Sequence, residues 1–266
     1  MEKKSLNANL HKASKAKKDE FYTQLVDIEK ELKHYKDQFR GKVVYCNCDD
    51  PFESNFFKYF AASFNALGLK RLIATSYKPS PIANTELVLQ RALFPGYEGK
   101  ILSKPSEPKG RPKVTANKFI INEVSDIDSN GAFDLNDIAE QLKANKNNEW
   151  IPLKGDGDFR SEESIELLKQ ADIVLTNPPF SLFREYIAQL IEYDKRFLII
   201  GNVNAITYKD VFRIIKDNRM WLGASIHSGD REFQVPNDYP LNAAGYRVDK
   251  SGNKYIRVKG VYKMST

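Results

Sequence analysis

The stretch Leu175-Thr176-Asn177-Pro178-Pro179-Phe180 carries the residue types and spacing that point most directly to chemistry. An exocyclic amino group conjugated to a planar ring is a poor nucleophile, because its lone pair is delocalised. An asparagine side-chain oxygen and a proline backbone carbonyl can both accept hydrogen bonds from such an NH2. That favours a tetrahedral nitrogen with its lone pair aimed at an electrophilic methyl group. An aromatic residue next in sequence can stack on the ring, and proline fixes the direction of its carbonyl while bringing no competing N–H. The chemistry that suits this turn is methylation of a planar amine. The alternative is a rigid connection without chemistry.

The neighbouring residues position the turn. Ala171-Asp172-Ile173-Val174-Leu175 reads as a short buried strand, and Ser181 can cap a helix running to about Tyr193. The tetrapeptide therefore falls at the carboxyl end of a strand, where open α/β sheets bind their ligands. Upstream, Gly155-Asp156-Gly157-Asp158-Phe159 combines glycines that let a backbone pass close to a ligand, carboxylates that can accept from an amino group, and a ring that can cover another. The same composition also suits an ordinary turn. Ser161-Glu162-Glu163 then opens a helix whose Leu167 and Leu168 face inward, ahead of the strand before Asn177.

Alternation of strands and helices extends in both directions. Helical pattern starts near Thr23, for which an N-cap is the plain structural alternative, with Leu25, Ile28, Leu32, Tyr35 and Phe39 at helical spacing and Gly41 after the end. Lys42 to Cys48 reads as the first strand and Ser54 to Leu67 as one helix, separated by the acidic, glycine-free turn Asp49-Asp50-Pro51-Phe52-Glu53. Arg71 to Ser76 is a second strand with no carboxylate at its end. The prolines and lysines between 77 and 118 argue against a core element, and a helix is expected from Leu135 to Ala144. Later come a strand at Arg196–Asn202, a helix at Lys209–Lys216, a strand near Met220–Gly223, and short polar strands with a hairpin signal at Ser251-Gly252-Asn253.

At 266 residues the chain can bury one substantial core. It has no run of about 18 apolar residues and no signal-peptide core, which implies a soluble intracellular protein without a membrane partner. Its two cysteines, Cys46 and Cys48, are too close for an ordinary disulfide, and with His11, His34 and His227 the only histidines no metal site is expected. The net charge of +6 is concentrated in residues 1–18 and 100–118, two basic segments able to neutralise phosphates.

In the order and content of its blocks the chain resembles the EcoRI-type adenine-specific DNA methyltransferases, which depend on S-adenosylmethionine. The resemblance lies in Lys18-Asp19-Glu20-Phe21-Tyr22-Thr23-Gln24, Cys46-Asn47-Cys48-Asp49-Asp50-Pro51, Ser54-Asn55-Phe56-Phe57, Lys154 to Ser161, and Thr176 to Tyr186. It implies an α/β, Rossmann-like methyltransferase fold with a mostly parallel central sheet flanked by helices. Residues 1–18 would be a flexible basic segment and 19–266 the methyltransferase domain, with an insertion at about 77–150 whose proline- and lysine-rich part, 77–118, reads as a loop facing DNA. The target would be N6 of an adenine flipped out of double-stranded DNA, held by Asn177 and Pro178, with Pro179 stiffening the turn and Phe180 stacking.

The resemblance further implies that Phe21, Tyr22 and Thr23 hold the methionine part of the cofactor. Asp49, Asp50 and Pro51 would line its pocket, and Asp156, Asp158 and Phe159 would form its adenine pocket. A cytoplasmic location and a cognate restriction endonuclease acting on the same site belong to the same expectation, with no metal. The chain stops at Val261 to Thr266, earlier than the family pattern, as in a shortened member. An inactive DNA- or cofactor-binding relative and an amino-methyltransferase of protein glutamine or RNA are the alternatives.

Overall fold

The structure, a computed structural model, describes residues 23–47, 54–76, 116–125, 147–225, 231–235, 246–258 and 261–265. Helix α1 (Leu25–Leu32) buries Ile28 and Leu32 and is followed by a 3-10 turn at Lys36–Phe39. Its N-cap is Gln24, which makes no side-chain cap, so Thr23 does not serve the capping role its residue type suggests. Strand β1 (Val43–Cys46) precedes α2 (Asn55–Ala62) and α3 (Phe64–Leu67), two helices broken at Ser63 where the apolar pattern suggests one. Ser54 caps α2 by accepting from Phe57 N at 3.3 Å.

Strands β2 (Arg71–Thr75), β3 (Asn117–Ile121) and β4 (Glu149–Pro152) follow. Ser161 caps α4 (Glu162–Gln170) through Ser164 N at 3.2 Å, with Glu162 and Glu163 in the first turn as the helix dipole favours. Then come β5 (Ile173–Thr176), α5 (Phe183–Glu192), β6 (Arg196–Asn202), α6 (Lys209–Lys216) and β7 (Trp221–Leu222). The last strands are β8 (Arg231–Val235), β9 (Tyr246–Val248), β10 (Lys254–Val258) and β11 (Val261–Ser265). The sequence-predicted insertion at 77–150 contains β3 and the start of β4, both strands of the central sheet, while the helix expected at 135–144 lies outside the described residues.

The central sheet has eight strands in the order β4-β3-β2-β1-β5-β6-β11-β7. Strands β2, β1, β5 and β6 run parallel, and antiparallel pairs extend the sheet on both sides. Strand β11 enters antiparallel between β6 and β7, and β8, β10 and β9 form a separate three-stranded antiparallel sheet. Period-2 alternation divides the buried residues between two faces. Val44, Cys46, Leu72 and Leu175 pack with Ile28, Phe57 and Phe60 of α1 and α2, and Phe233 and Ile256 of the small sheet join them. Val43, Tyr45, Ile73 and Val174 pack with Leu167, Tyr186, Ile187 and Val211 of α4, α5 and α6.

This arrangement places the reversal of strand order between β1 and β5. The chain leaves β1 for α2 on one face and leaves β5 for α5 on the other, so the two connections diverge and open a crevice at the carboxyl edge. A buried row of polar groups closes its floor. Asn47, continuing the register of β1, accepts at Oδ1 from Thr75 Oγ1 at 3.1 Å, and its carbonyl accepts from Thr176 Oγ1 at 2.5 Å. The Tyr45 hydroxyl lies 3.1 Å from Thr75 Oγ1 and donates to it, since the Thr75 proton is committed to Asn47. Thr176→Val preserves shape and deletes the donor to a buried carbonyl. It should lower stability by about 1–2 kcal/mol in urea denaturation, an effect that the surface substitution Lys216→Ala should not reproduce.

Candidate active site

Asn177 follows the last residue of β5 directly and is half-buried, while Pro178 and Pro179 are buried. Two consecutive prolines hold φ near its fixed value, so the backbone here has little freedom to relax. The Pro179 carbonyl is taken by Leu182 N at 2.9 Å, which forms a 3-10 turn over Phe180–Leu182. No hydrogen bond to the Pro178 carbonyl is made among the described residues. Ser181 lies inside the 3-10 turn rather than capping the helix; α5 begins at Phe183 with Leu182 as N-cap and no side-chain cap. The two prolines and the 3-10 turn shape this start, so a hydroxyl cap has no place in it. The side chain of Phe180 lies outside the described set.

Two anchors fix the start of α5. A Cβ on Gly201 of β6 would sit 2.5 Å from two carbons of the Phe183 ring, so only glycine lets that ring lie on the sheet. Arg184 pairs with Asp210 of α6, Nε to Oδ2 at 2.7 Å, and its guanidinium lies 5.7 Å from the Tyr208 ring centroid. The hydrogen bond from Arg184 is the main reason the Asp210 carboxyl titrates below its ordinary range.

The loop Gly155 to Phe159 lies against the end of β2. Gly157 has φ +78°, and a Cβ there would sit 2.1 Å from the Ser76 carbonyl oxygen and 3.2 Å from Ala116 Cβ. Glycine is demanded twice at this position, by conformation and by contact. Asp156 turns the loop by accepting from Asp158 N at 3.1 Å. Asp158 is buried and accepts from Arg160 three times: Oδ1 from the backbone N at 2.8 Å and from Nε at 2.9 Å, Oδ2 from Nη2 at 2.7 Å. Burial alone would raise the Asp158 pKa, but the hydrogen bonds and charge of Arg160 outweigh it and the net shift is downward. Arg160 is correspondingly pushed up, chiefly by its hydrogen bonds to Asp158.

The Phe159 ring is 2 % exposed and meets Tyr186 edge to face at 5.0 Å, which places it in the core beneath the loop. Its carbonyl accepts from Gln189 Nε2 of α5 at 3.1 Å, and Arg160 Nη1 reaches Glu185 Oε2 of the same helix at 3.0 Å. The loop and the Asn177 turn are therefore carried by one helix. Arg160, Gln189 and Asn47 were not singled out by sequence reasoning. Arg160 had a local signal, its place two residues after Asp158, whereas Gln189 had none.

Thr23 lies beside the first turn of α2, its carbonyl accepting from Asn55 Nδ2 at 2.7 Å. Its hydroxyl oxygen is buried with no hydrogen-bond partner among the described residues, which leaves a polar group with unmet capacity at this place. Phe21, Tyr22, Asp49, Asp50 and Pro51 lie outside the described residues. Asn177, Thr23, Asp156, Asp158 and Phe159 all lie on segments at, or held to, the carboxyl edge of the parallel strands. Among the described residues no three His, Cys, Asp or Glu side chains converge to hold a metal ion, and no helix is long and apolar enough to cross a membrane.

Comparison with known proteins decides what family this edge belongs to. The family described as adenine-specific methyltransferase EcoRI matches residues 9–265. The chain belongs to this family. The type II methyltransferase M.EcoRI of Escherichia coli is 46 % identical over 256 residues, covering 96 % of this chain and 67 % of that protein. M.MpnI of Mycoplasma pneumoniae is 34 % identical over 94 % of this chain and 62 % of its own length. M.MgeORF184P of Mycoplasma genitalium is 35 % identical over 95 % and 63 %. The chain spans about two thirds of the length of these relatives. No solved structure gives a significant match.

Two measurements probe the loop that the family's blocks include. Gly157→Ala should cost about 1–3 kcal/mol in chemical denaturation, because it adds left-handed strain to a contact that cannot yield. Asp158 has a depressed folded pKa, so its contribution to stability is complete above its unfolded value of about 3.9. It is lost as pH falls through the folded value. Asp158→Asn should flatten the acid limb of the stability profile below about pH 4 and leave its alkaline side unchanged.

Proposed function

We infer that this chain methylates N6 of an adenine at a specific site in double-stranded DNA, with S-adenosylmethionine as donor. The observation that carries the reading is the placement of Asn177-Pro178-Pro179 at the end of β5, beside the strand-order reversal, in a member of the adenine-specific family. When bound, S-adenosylmethionine supplies an electrophilic methyl group on a sulfonium. The Asn177 side-chain oxygen and the Pro178 carbonyl accept hydrogen bonds from the two N6–H groups and hold the amino lone pair out of conjugation with the ring; the methylated nitrogen then loses one proton to water. Phe180 stacks on the base, which leaves the duplex because its amino group cannot meet the donor while paired.

Residues on both sides of the reversal suit the cofactor. The Thr23 hydroxyl, which has no hydrogen-bond partner among the described residues, holds the methionine end together with Phe21 and Tyr22 before it. Asp49, Asp50 and Pro51, after β1, line the middle, and the 156–159 loop pressed against Ser76 takes the adenine. The sheet order, with parallel strands reversed between β1 and β5, supports a Rossmann-like fold. The relatives are named type II methyltransferases. By that analogy the chain acts in the cytoplasm, alongside an endonuclease cutting the same DNA site.

The test supplies radiolabelled S-adenosylmethionine and unmethylated mixed-sequence DNA, then digests the product to nucleosides. Label is expected in N6-methyl-2′-deoxyadenosine; label in another nucleoside, or none with cofactor still bound, would overturn the assignment. Asn177→Ala should lower kcat by about 10²–10³-fold and change cofactor affinity only a few-fold. Normal turnover by that variant would remove Asn177 from the mechanism.

A further inference from the structure

We propose that Arg160 is a positioning residue that sets the choice of cofactor base: it holds Asp158 as a fixed, acceptor-only partner for the exocyclic amino group of adenine, and Glu185 of α5 holds Arg160. The proposal rests on the reading of the 156–159 loop as the adenine pocket.

An ionised carboxylate offers about four lone-pair sites. Arg160 fills two on Oδ1 and one on Oδ2, at 2.8, 2.9 and 2.7 Å, and one site on Oδ2 remains. The fork fixes the plane of the carboxylate, so that remaining site has one direction. The Asp158 side chain is 11 % exposed and that of Arg160 38 %, so the carboxylate is the more buried partner of the pair. The free end of the fork is occupied as well: Nη1 meets Glu185 Oε2 at 3.0 Å, and the guanidinium carbon lies 5.2 Å from the Phe159 ring centroid. Gln189 holds the Phe159 carbonyl from one turn further along the same helix.

The chemical consequence is discrimination between 6-amino and 6-oxo purines. A carboxylate kept charged by its guanidinium can only accept. It favours an amino group and repels the oxygen of a 6-oxo purine, whereas a protonated or rotating carboxyl could donate to that oxygen. Lysine cannot replace the fork, because a single ammonium fixes neither the plane nor both oxygens.

The experiment titrates the intact chain calorimetrically with S-adenosylhomocysteine and with its 6-oxo analogue, S-inosylhomocysteine. The wild-type chain should prefer the amino form by about tenfold or more, as expected for one hydrogen bond to a charged group. Arg160→Lys should bring the ratio within about threefold, and adding Asp158→Asn to it should cause little further loss, since the two act as one unit. Glu185→Gln alters an exposed bridge and leaves the core untouched, so it folds; it should lower the ratio by about twofold. A wild-type preference that survives in Arg160→Lys and Glu185→Gln, with both ligands weakened equally, would overturn the proposal and leave the pocket reading standing. Wild-type binding of both ligands alike, or of neither, would overturn the pocket reading and the proposal together.

Discussion

The hydrogen-bonded row Thr75–Asn47–Thr176 is the constraint on which the rest of the site depends. Three neighbouring parallel strands end there, and Thr75 and Thr176 on the outer two each donate to Asn47 between them, one to its side-chain oxygen and one to its carbonyl. An unpaired group in that row would carry the full cost of desolvation, so the strand ends are tied at one level. The divergence of α2 and α5 to opposite faces then opens the crevice directly above the tie. Asn177 begins immediately after it, and its backbone inherits a position set by three strands rather than by its own loop.

Helix α5 transmits that position outward. Its first residue lies on Gly201, its second is held by Asp210, and its middle carries Glu185, Tyr186 and Gln189, which reach the 156–160 loop by an ion pair, a ring contact and a hydrogen bond. A rigid helix between the Asn177 turn and the 156–160 loop limits their independent motion. Methyl transfer needs donor and acceptor atoms placed within about half an ångström of the productive geometry, and a shared support is the direct way to achieve it.

A second buried carboxylate fixes the other side of the molecule. Glu31 of α1 is 0 % exposed and accepts from Tyr35 OH, Ala224 N, Ser225 N and Ser225 Oγ. It ties the helix that follows Thr23 to the turn after β7, and a Cβ on Gly223 would sit 2.5 Å from its carboxylate oxygen. Charge buried in this way is tolerated only with its hydrogen bonds complete. The segment proposed to hold the methionine end of the cofactor is thus anchored through a contact 193 residues apart in sequence.

Much of the fold, and the place of the Asn177 turn directly after a strand, could be read from residue order. The strand–turn–helix around Asn177, the Ser161 cap, β6, α6 and the hairpin at Gly252 all follow from period-2 or period-3.6 burial and from local turn chemistry, which act over a few residues. What depended on long-range contact was not legible. Ser181 resembles a cap, but two prolines and a 3-10 turn preempt it; β11 resembles a chain end, but it completes the central sheet between β6 and β7. Asn47 meets Thr75 and Thr176 across 28 and 129 residues, and Arg160 meets Glu185 across 25. Sequence alone determined those elements whose pattern is local, such as α4, β5, β6 and α6, and the strand end at which the Asn177 turn sits, because those choices act over a few residues. Only the tertiary structure decided which polar groups face one another, because strand register and helix packing set those pairings and no local pattern encodes them.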